Sequence, residues 1–171
     1  LATGLMIVCV GSCTKKIESL MGMEKEYTGT FRLGETTSSY DMEKEVNETF
    51  PVDHITEEMI RNAALQFIGE TDQIPPHFSA VKINGKRAYE LAREGEEAII
   101  QPKKIVISTF EITKIDMPHV DFRVVCSKGT YIRSLARDFG EALQSGAHLT
   151  ALRRTKIGPY LVDNAIQVIL H

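Results

Sequence analysis

Tyr131 and Arg133 are the side chains whose type and spacing first suggest chemistry. They stand at the predicted start of a helix, directly behind the polar turn 127–130. A tyrosine ring can stack on a planar group, and a guanidinium can grip a carboxylate or a phosphate through paired hydrogen bonds. Between Cys126 and Tyr160 six basic residues face two acidic ones, an excess of +4, whereas the whole chain carries −3. This local charge favours a phosphate-rich ligand with a planar part, and a polynucleotide is the first candidate.

Residues 35–72 carry the opposite charge. They contain ten acidic residues and two basic ones, a balance of −8. One interpretation is a plain solvated face. The other is a surface that repels an anionic ligand from one side of the molecule and so helps to orient it.

Motifs for cofactors are absent from the sequence. There is no glycine-rich nucleotide-binding motif and no G-x-S-x-G elbow, and the five histidines do not fall at spacings that hold a metal. We therefore expect a reaction that uses neither a metal nor an organic cofactor.

Composition sets broad limits on the class of protein. The chain has 171 residues and 43% hydrophobic content, enough for one well-packed domain, and no apolar run approaches the ~18 residues of a membrane span. Its three cysteines include Cys9 and Cys13, which lack the two-residue spacing of redox or zinc motifs, so we expect buried thiols in a cytoplasmic protein. Leu1 leads straight into an apolar run, and we expect it to be a cut point and not a natural terminus.

Hydrophobic periodicity predicts a mixed architecture. Apolar residues alternate in four segments, as in strands, and recur at the helical period in two others. The predicted strands are 24–33, 105–115, 120–127 and 148–156. The predicted helices are 56–68 and a second one from Ile132 to near Gly146. Thr56 is the expected N-cap of the first helix, and Gly69 is expected to close it. Strands close in sequence indicate an α+β fold with a mixed, mainly antiparallel sheet flanked by helices.

Five sequence blocks, in matching order and spacing, give a specific resemblance. The chain resembles the bacterial tRNA pseudouridine synthase B (TruB) family, and the likeness covers nearly all 171 residues. The blocks are LATGLMIVCVG with TKKI (1–17), EKEYTGTFRLGETT (24–37), IPPHFSAVKINGKRAYELAREG (74–95), CSKGTYIRSLARDFGEAL (126–143) and GAHLTALRRTKIG (146–158). The resemblance implies a pseudouridine-synthase fold and the isomerisation of the T-loop uridine, uridine-55, of tRNA without a cofactor.

The resemblance also implies a nucleophile that is not among these residues. In the family a lone aspartate helps to detach uracil from ribose, and the base turns and rejoins through carbon. That aspartate lies in Gly-Thr-Leu-Asp-Pro, immediately before Leu-Ala-Thr-Gly. Because Leu-Ala-Thr-Gly is residues 1–4 here, the nucleophile is expected two positions before Leu1. We therefore expect the 171-residue polypeptide itself to be catalytically inactive.

Five residues match the family's site. The resemblance implies that Tyr27 stacks on the flipped uracil, that Tyr131 packs against the target base, and that Arg133 pairs with the nucleophile's carboxylate. It implies that the backbone of Leu152 contacts the uracil edge, and that Asp41 lies near the pocket in a role left open. Simpler interpretations also exist: an ordinary strand aromatic for Tyr27, a helix N-terminal tyrosine with a solvated arginine, and a core leucine. Gly29, on the same face as Tyr27, is expected to leave space for a ring.

Further residues are expected to contact RNA. The candidates for phosphate contacts are Lys82, Lys86, Arg87, Arg153, Arg154 and Lys156. The expected partner is the T-arm stem-loop of tRNA, bound by a cytoplasmic monomer without a membrane or a metal. We expect residues 1–171 to be a synthase catalytic domain without its N-terminal part, and the C-terminal RNA-binding annex of some family members to be absent.

Two other functions remain open. One is an RNA-binding or tRNA-folding module of the same fold that performs no chemistry, which an Asp-Pro before Leu1 would exclude. The other is a related guide-dependent synthase that acts on another RNA such as rRNA, which a requirement for guide RNA or partner proteins would reveal.

Overall fold

The structure, a computed structural model, describes residues 2–80, 82, 83, 85–95 and 99–168. The strands are β1 (Ala2–Gly4), β2 (Lys25–Leu33), β3 (Glu35–Thr37), β4 (Val46–Thr49), β5 (Gly69–Gln73), β6 (Lys82–Ile83), β7 (Lys86–Arg87), β8 (Lys103–Asp116), β9 (His119–Cys126), β10 (Ala147–Ile157) and β11 (Tyr160–Leu161). The helices are α1 (Ile17–Gly22), α2 (Glu57–Gln66), α3 (Ala88–Arg93) and α4 (Ile132–Ala142), with 3-10 turns at Gly11–Lys16 and Val162–Asn164. Within these ranges no helix is long and apolar enough to cross a membrane.

Seven of these strands form one sheet. Its order is β1-β10-β2-β9-β8-β5, and β11 pairs with the end of β10. The pairing of β1 with β10 is parallel and the other pairings are antiparallel. The short pairs β3–β4 and β6–β7 lie outside this sheet. The predicted α+β fold with a mixed, mainly antiparallel sheet is confirmed.

One face of the sheet holds the core. Helices α2 and α4 pack there against alternate residues of the central strands. The centre is aromatic: the rings of Phe31 and Phe122 stack with centroids 4.2 Å apart, and Phe139 of α4 tilts against Phe31 at 5.3 Å. These rings are fully buried, so they contribute to the hydrophobic stabilisation of the core. Because β2 and α4 both belong to it, the core also fixes the elements that carry Tyr27 and Tyr131.

The opposite face of the sheet is polar. In β9 buried residues alternate with half-exposed ones, so that Asp121 and Arg123 point away from the helices. Arg123 forms ion pairs with Glu26 at 2.9 Å and with Glu111 at 3.1 Å. One face of the sheet is therefore apolar and the other is polar. Because side chains alternate between the two faces along a strand, a residue's position in the strand decides on which face it lies.

The long predicted elements agree with the structure to within a few residues, and Thr56 caps α2 by accepting a hydrogen bond from the Met59 N–H at 3.2 Å.

Three local expectations were wrong. Gly69 has the expected positive φ of 112°, but it opens β5 instead of closing α2. The room beside Gly29 is filled by the core ring of Phe122, 2.8 Å from where a Cβ would lie. Cys13 is exposed.

Candidate active site

One cavity joins most of the predicted site residues. It has a volume of about 340 Å³ and lies where β1, β10 and the start of α4 meet. Tyr27, Tyr131, Arg133 and Leu152 all line it. These residues come from three elements that are far apart in the sequence, so the fold brings together what the sequence could only suggest.

Strand β1 forms one wall of this cavity. Ala2 pairs with Leu152 and Gly4 with Arg154, and the link is locked by two hydrogen bonds at 2.8 Å, from the Leu5 N–H to the Arg154 carbonyl and from Arg154 Nε to the Leu5 carbonyl. A Cβ on Gly4 would lie 2.2 Å from the Arg154 carbonyl oxygen. Only glycine, at its φ of +101°, therefore allows β1 to approach β10 this closely. The chain thus reaches the cavity at Ala2, beside Leu152.

Tyr27 stands on the core face of β2, half-buried against the aromatic cluster. Burial, which disfavours the phenolate, raises the pKa of Tyr27, and the nearby Cys126 thiol adds to this effect, while Arg154 opposes it. The phenol is therefore neutral at physiological pH. A neutral ring held at the edge of a packed core is a suitable stacking surface for a planar ligand.

Tyr131 is the residue immediately before the first turn of α4, and its aromatic side chain does not cap the helix. Its backbone is held by the buried side chain of Gln73, which ends β5. The Tyr131 N–H donates to Gln73 Oε1 at 2.8 Å, and Gln73 Nε2 donates to the Tyr131 carbonyl at 3.1 Å. Gln73 was not predicted from the sequence, because a side chain that binds a distant backbone leaves no spacing pattern.

Arg133 reaches from the first turn of α4 into two loops. Its Nη2 donates to the Phe78 carbonyl at 2.8 Å and its Nη1 to the Ser39 carbonyl at 3.4 Å. Its Nε lies 4.0 Å from Oδ2 of Asp41, which is buried. The guanidinium is thus pre-oriented by fixed acceptors, while its side chain, 22% exposed, still opens to the cavity.

Asp41 does not line the cavity but supports it through Arg133. Its Oδ1 accepts hydrogen bonds from Ser39 Oγ at 2.6 Å and from the Glu43 N–H at 2.9 Å. These bonds fix the carboxylate, and Oδ2 is left to face Arg133. The structure therefore offers a geometric role for a residue whose function the sequence left open.

The six predicted phosphate contacts do not share one surface. Lys82, Lys86 and Arg87 lie on the β6–β7 hairpin, exposed. Arg153 and Arg154 lie on opposite faces of β10. Arg153 lines a polar hollow beside Thr28, whereas Arg154 lines the cavity with Tyr27. Lys156 is half-buried and follows a register shift in β10.

A second cavity adjoins the first. Its volume is about 410 Å³, and Tyr27, Tyr131 and Arg154 line both. The apolar residues that line the second cavity and not the first include Ile7, Ile17, Leu20 and Met21. The apolar run after β1 was visible in the sequence, but nothing in its pattern indicated a hollow next to the tyrosines.

No group of three His, Cys, Asp or Glu in the described part of the chain could hold a metal ion. His148 is buried, and its Nδ1 lies 3.1 Å from the Glu35 carbonyl. Burial raises the pKa of the Cys126 thiol to about 11, so it is protonated at neutral pH and unsuited to act as a nucleophile.

Comparison with known proteins identifies relatives along the whole chain. Residues 1–132 match the family described as TruB family pseudouridylate synthase (N terminal domain), and residues 133–171 match the tRNA pseudouridylate synthase B C-terminal domain. The boundary between the matches falls inside α4, which packs in the same core as β2.

Two similar bacterial proteins are both named tRNA pseudouridine synthase B. The one from Flavobacterium johnsoniae is 60% identical over 170 residues, which cover 99% of this chain and 74% of the relative. The one from Phocaeicola vulgatus is 52% identical over 168 residues, which cover 98% of this chain and 72% of the relative.

Solved structures give more distant similarities. The chain resembles one in a Cbf5-Nop10-Gar1 complex, with a TM-score of 0.68 and 27% identity over 94% of this chain and 38% of that one. It also resembles one in an H/ACA RNP bound to a substrate RNA containing 2'-deoxyuridine, with a TM-score of 0.58 and 25% identity over 87% of this chain and 33% of that one. The chain thus spans between 33% and 38% of the length of these solved chains.

Proposed function

Because the chain belongs to the TruB family of pseudouridylate synthases, we propose that it forms the substrate-binding wall of a tRNA pseudouridine synthase that acts on the T-loop uridine, uridine-55. The observation that carries this proposal is the single cavity lined by Tyr27, Tyr131, Arg133 and Leu152. A cavity of about 340 Å³ lies in the size range of small-ligand sites and suits one flipped nucleotide.

The two tyrosines would receive the base. A uridine stacked inside an RNA loop must be turned out before its ring can react, which costs a few kcal/mol. Tyr27 and Tyr131 line the cavity from different elements, and stacking on an aromatic ring contributes about 1–3 kcal/mol per base. Their rings therefore offset the cost of flipping and hold the base at the nucleophile.

Arg133 would hold the nucleophile's carboxylate. An opposite charge in contact keeps the pKa of such a carboxyl well below its usual range, so that it stays ionised and oriented. Asp41 beside Arg133 compensates the buried charge and limits the arginine to one orientation. Leu152 adds the edge contact, since β10 brings it to the cavity next to Ala2.

RNA binding beyond this pocket is proposed to use the six cations named above. Recognition of an RNA loop relies on shape and backbone contacts from several elements, which agrees with cations on a hairpin and on two faces of a strand. The T-arm stem-loop as partner, the monomeric state and the cytoplasmic location remain parts of the proposal.

A guide-dependent synthase is the second candidate, because the solved structures that resemble the chain include an H/ACA RNP with substrate RNA. The identity of 60% and 52% to bacterial proteins named tRNA pseudouridine synthase B, against 27% and 25% to the solved chains, favours the first candidate. A requirement for guide RNA in the assay below would reverse this preference.

The test compares two polypeptides in a tritium-release assay on a T-loop RNA. The resemblance assigns the nucleophilic aspartate to a position two residues before Leu1, so residues 1–171 alone should give no turnover. A protein that also contains the upstream Gly-Thr-Leu-Asp-Pro segment should convert the uridine without guide RNA. RNA binding by the 171-residue chain is the control for its folding, and turnover by that chain would refute the assignment.

A further inference from the structure

Gln73 lies outside the cavity but is bonded to one of its walls. It ends the edge strand β5, its side chain is 3% exposed, and the amide binds both backbone polar groups of Tyr131. The two bonds fix the orientation of the amide, because an N–H must face an oxygen and a carbonyl must face the NH₂ group. The side chain thus forms a two-bond bridge between the end of β5 and the start of α4.

This bridge acts at the residue where the backbone changes conformation. Tyr131 has an extended backbone, with φ −96° and ψ 111°, and the helix begins at Ile132. The first N–H groups of a helix lack intrahelical partners, and the terminal turn frays unless something holds it. Fixing both polar groups of Tyr131 fixes its Cα–Cβ direction, and so the direction in which its ring enters both cavities.

We infer that Gln73 is a positioning residue for the reaction: its side-chain amide sets the place of the Tyr131 ring against the target base. The inference rests on the proposed function, since Tyr131 must contact that base. Gln73 itself touches no reacting atom.

A purely structural role is the competing explanation, and the molecule contains a matched control for it. Ser134 is buried in the first turn of α4, and its Oγ donates to the Ile74 carbonyl at 2.8 Å. This bond joins the same helix to the same segment as Gln73 does, but it does not hold Tyr131. Loss of either side chain should lower stability, whereas only loss of Gln73 should disturb the ring.

The test uses Gln73→Met, Gln73→Glu and Ser134→Ala in the protein that includes the residues upstream of Leu1. Methionine keeps the length and loses both bonds. Glutamate keeps the acceptor for the Tyr131 N–H but sets an oxygen against the Tyr131 carbonyl. A shift of about 1 Å in a positioning group can lower a rate 100-fold, so we expect kcat to fall about 10- to 100-fold in both Gln73 variants. KM should change less than about threefold, because phosphate contacts supply most RNA affinity.

A second readout does not depend on activity. Hydrogen exchange measured by NMR should lose protection at the Tyr131 amide in Gln73→Met but keep it at the Leu135 amide, which donates to the Tyr131 carbonyl at 3.1 Å. Ser134→Ala should leave both the Tyr131 amide and kcat unchanged.

The outcomes separate this inference from the function on which it rests. Normal kcat in folded Gln73→Met, with an active parent protein, would overturn the inference and leave the function standing. Equal losses of kcat in Gln73→Met and Ser134→Ala would also overturn it, in favour of a structural role. If the upstream-extended protein without substitutions were inactive, the proposed function would be rejected, and with it the role of Gln73 in the reaction. If Gln73→Met still lost hydrogen-exchange protection at the Tyr131 amide, the Gln73 bridge would remain as a structural contact.

Discussion

The start of α4 and the β6–β7 hairpin hold their polar side chains in different ways. Arg133 bonds carbonyls 94 and 55 residues away in the sequence, and Tyr131 is held by Gln73, 58 residues away. On the hairpin, Lys86 pairs with Glu94 at 3.0 Å and Arg87 with the Tyr89 hydroxyl at 3.3 Å, both close in the chain. At the start of α4 the side chains that need an accurate position are therefore held through contacts distant in the sequence, whereas the cations of β6 and β7 rely on near neighbours and stay exposed.

Arg133→Lys is the strongest test of this difference. Lysine keeps the charge but loses the planar fork that reaches Ser39 and Phe78. In the upstream-extended protein we expect kcat to fall about 100-fold or more, which corresponds to a loss of roughly 3 kcal/mol of transition-state stabilisation. RNA affinity should change little.

The control for Arg133 is Arg137→Lys, one turn later on α4. Arg137 also binds a loop carbonyl, that of Ile74 at 3.1 Å, and the Tyr40 hydroxyl at 3.3 Å, yet it does not line the cavity with Tyr131. Arg137→Lys should lower the free energy of unfolding, but it should reduce kcat much less than Arg133→Lys does. A loss confined to RNA affinity in Arg133→Lys would instead put Arg133 among the phosphate contacts.

Tyr27→Ala should have the next largest effect. Removing the ring removes stacking of about 1–3 kcal/mol, so RNA binding should weaken at every salt concentration. The slope of log affinity against log salt should not change, because the phenol is neutral. Tyr160→Ala, which removes an exposed ring of β11, is the matched control and should leave binding intact. A changed slope in Tyr27→Ala would contradict stacking.

The neighbouring residues Arg153 and Arg154 provide the test with the smallest expected effect. If Arg153 contacts one phosphate, Arg153→Gln should reduce the salt slope by about 0.7–0.9 and affect little else. Arg154→Gln should also weaken binding at every salt concentration, since Arg154 holds the Leu5 carbonyl at 2.8 Å and borders Tyr27. The salt slope and the affinity of each variant can be measured by filter binding or anisotropy over a salt series. Identical profiles would mean that the two faces of β10 do not act separately.

The sequence was sufficient for the long elements but not for how they meet. Segments such as 120–127 show a clear two-residue period, and their strands appeared with nearly the predicted bounds. The paired strands Lys82–Ile83 and Lys86–Arg87 and the strand Ala2–Gly4 have two or three residues each, too few to show a period, and all were missed. Gly29 was misinterpreted because its neighbour across the sheet, Phe122, is known only once the strands are in register.

The same limit applies to the site. The resemblance was enough to name Tyr27, Tyr131, Arg133 and Leu152, since short motifs carry them. Gln73, in contrast, acts through its bonds to a distant backbone, and such bonds obey no spacing rule. Its neighbour Ile74 begins a recognised block, so the motif stopped one residue short of the side chain that holds Tyr131.

The parallel contact of Ala2 with Leu152 closes a loop of 150 residues. Joining the ends of so long a flexible segment costs about 4 kcal/mol of chain entropy, before any constant term. Three residue pairs cannot meet that cost while β10 is itself unformed. Once β2 has fixed β10 in the sheet, most of the intervening chain is ordered and the remaining entropy is small. The cavity therefore exists only as a property of the completed sheet, and the region that binds the base has no stability independent of the fold around it.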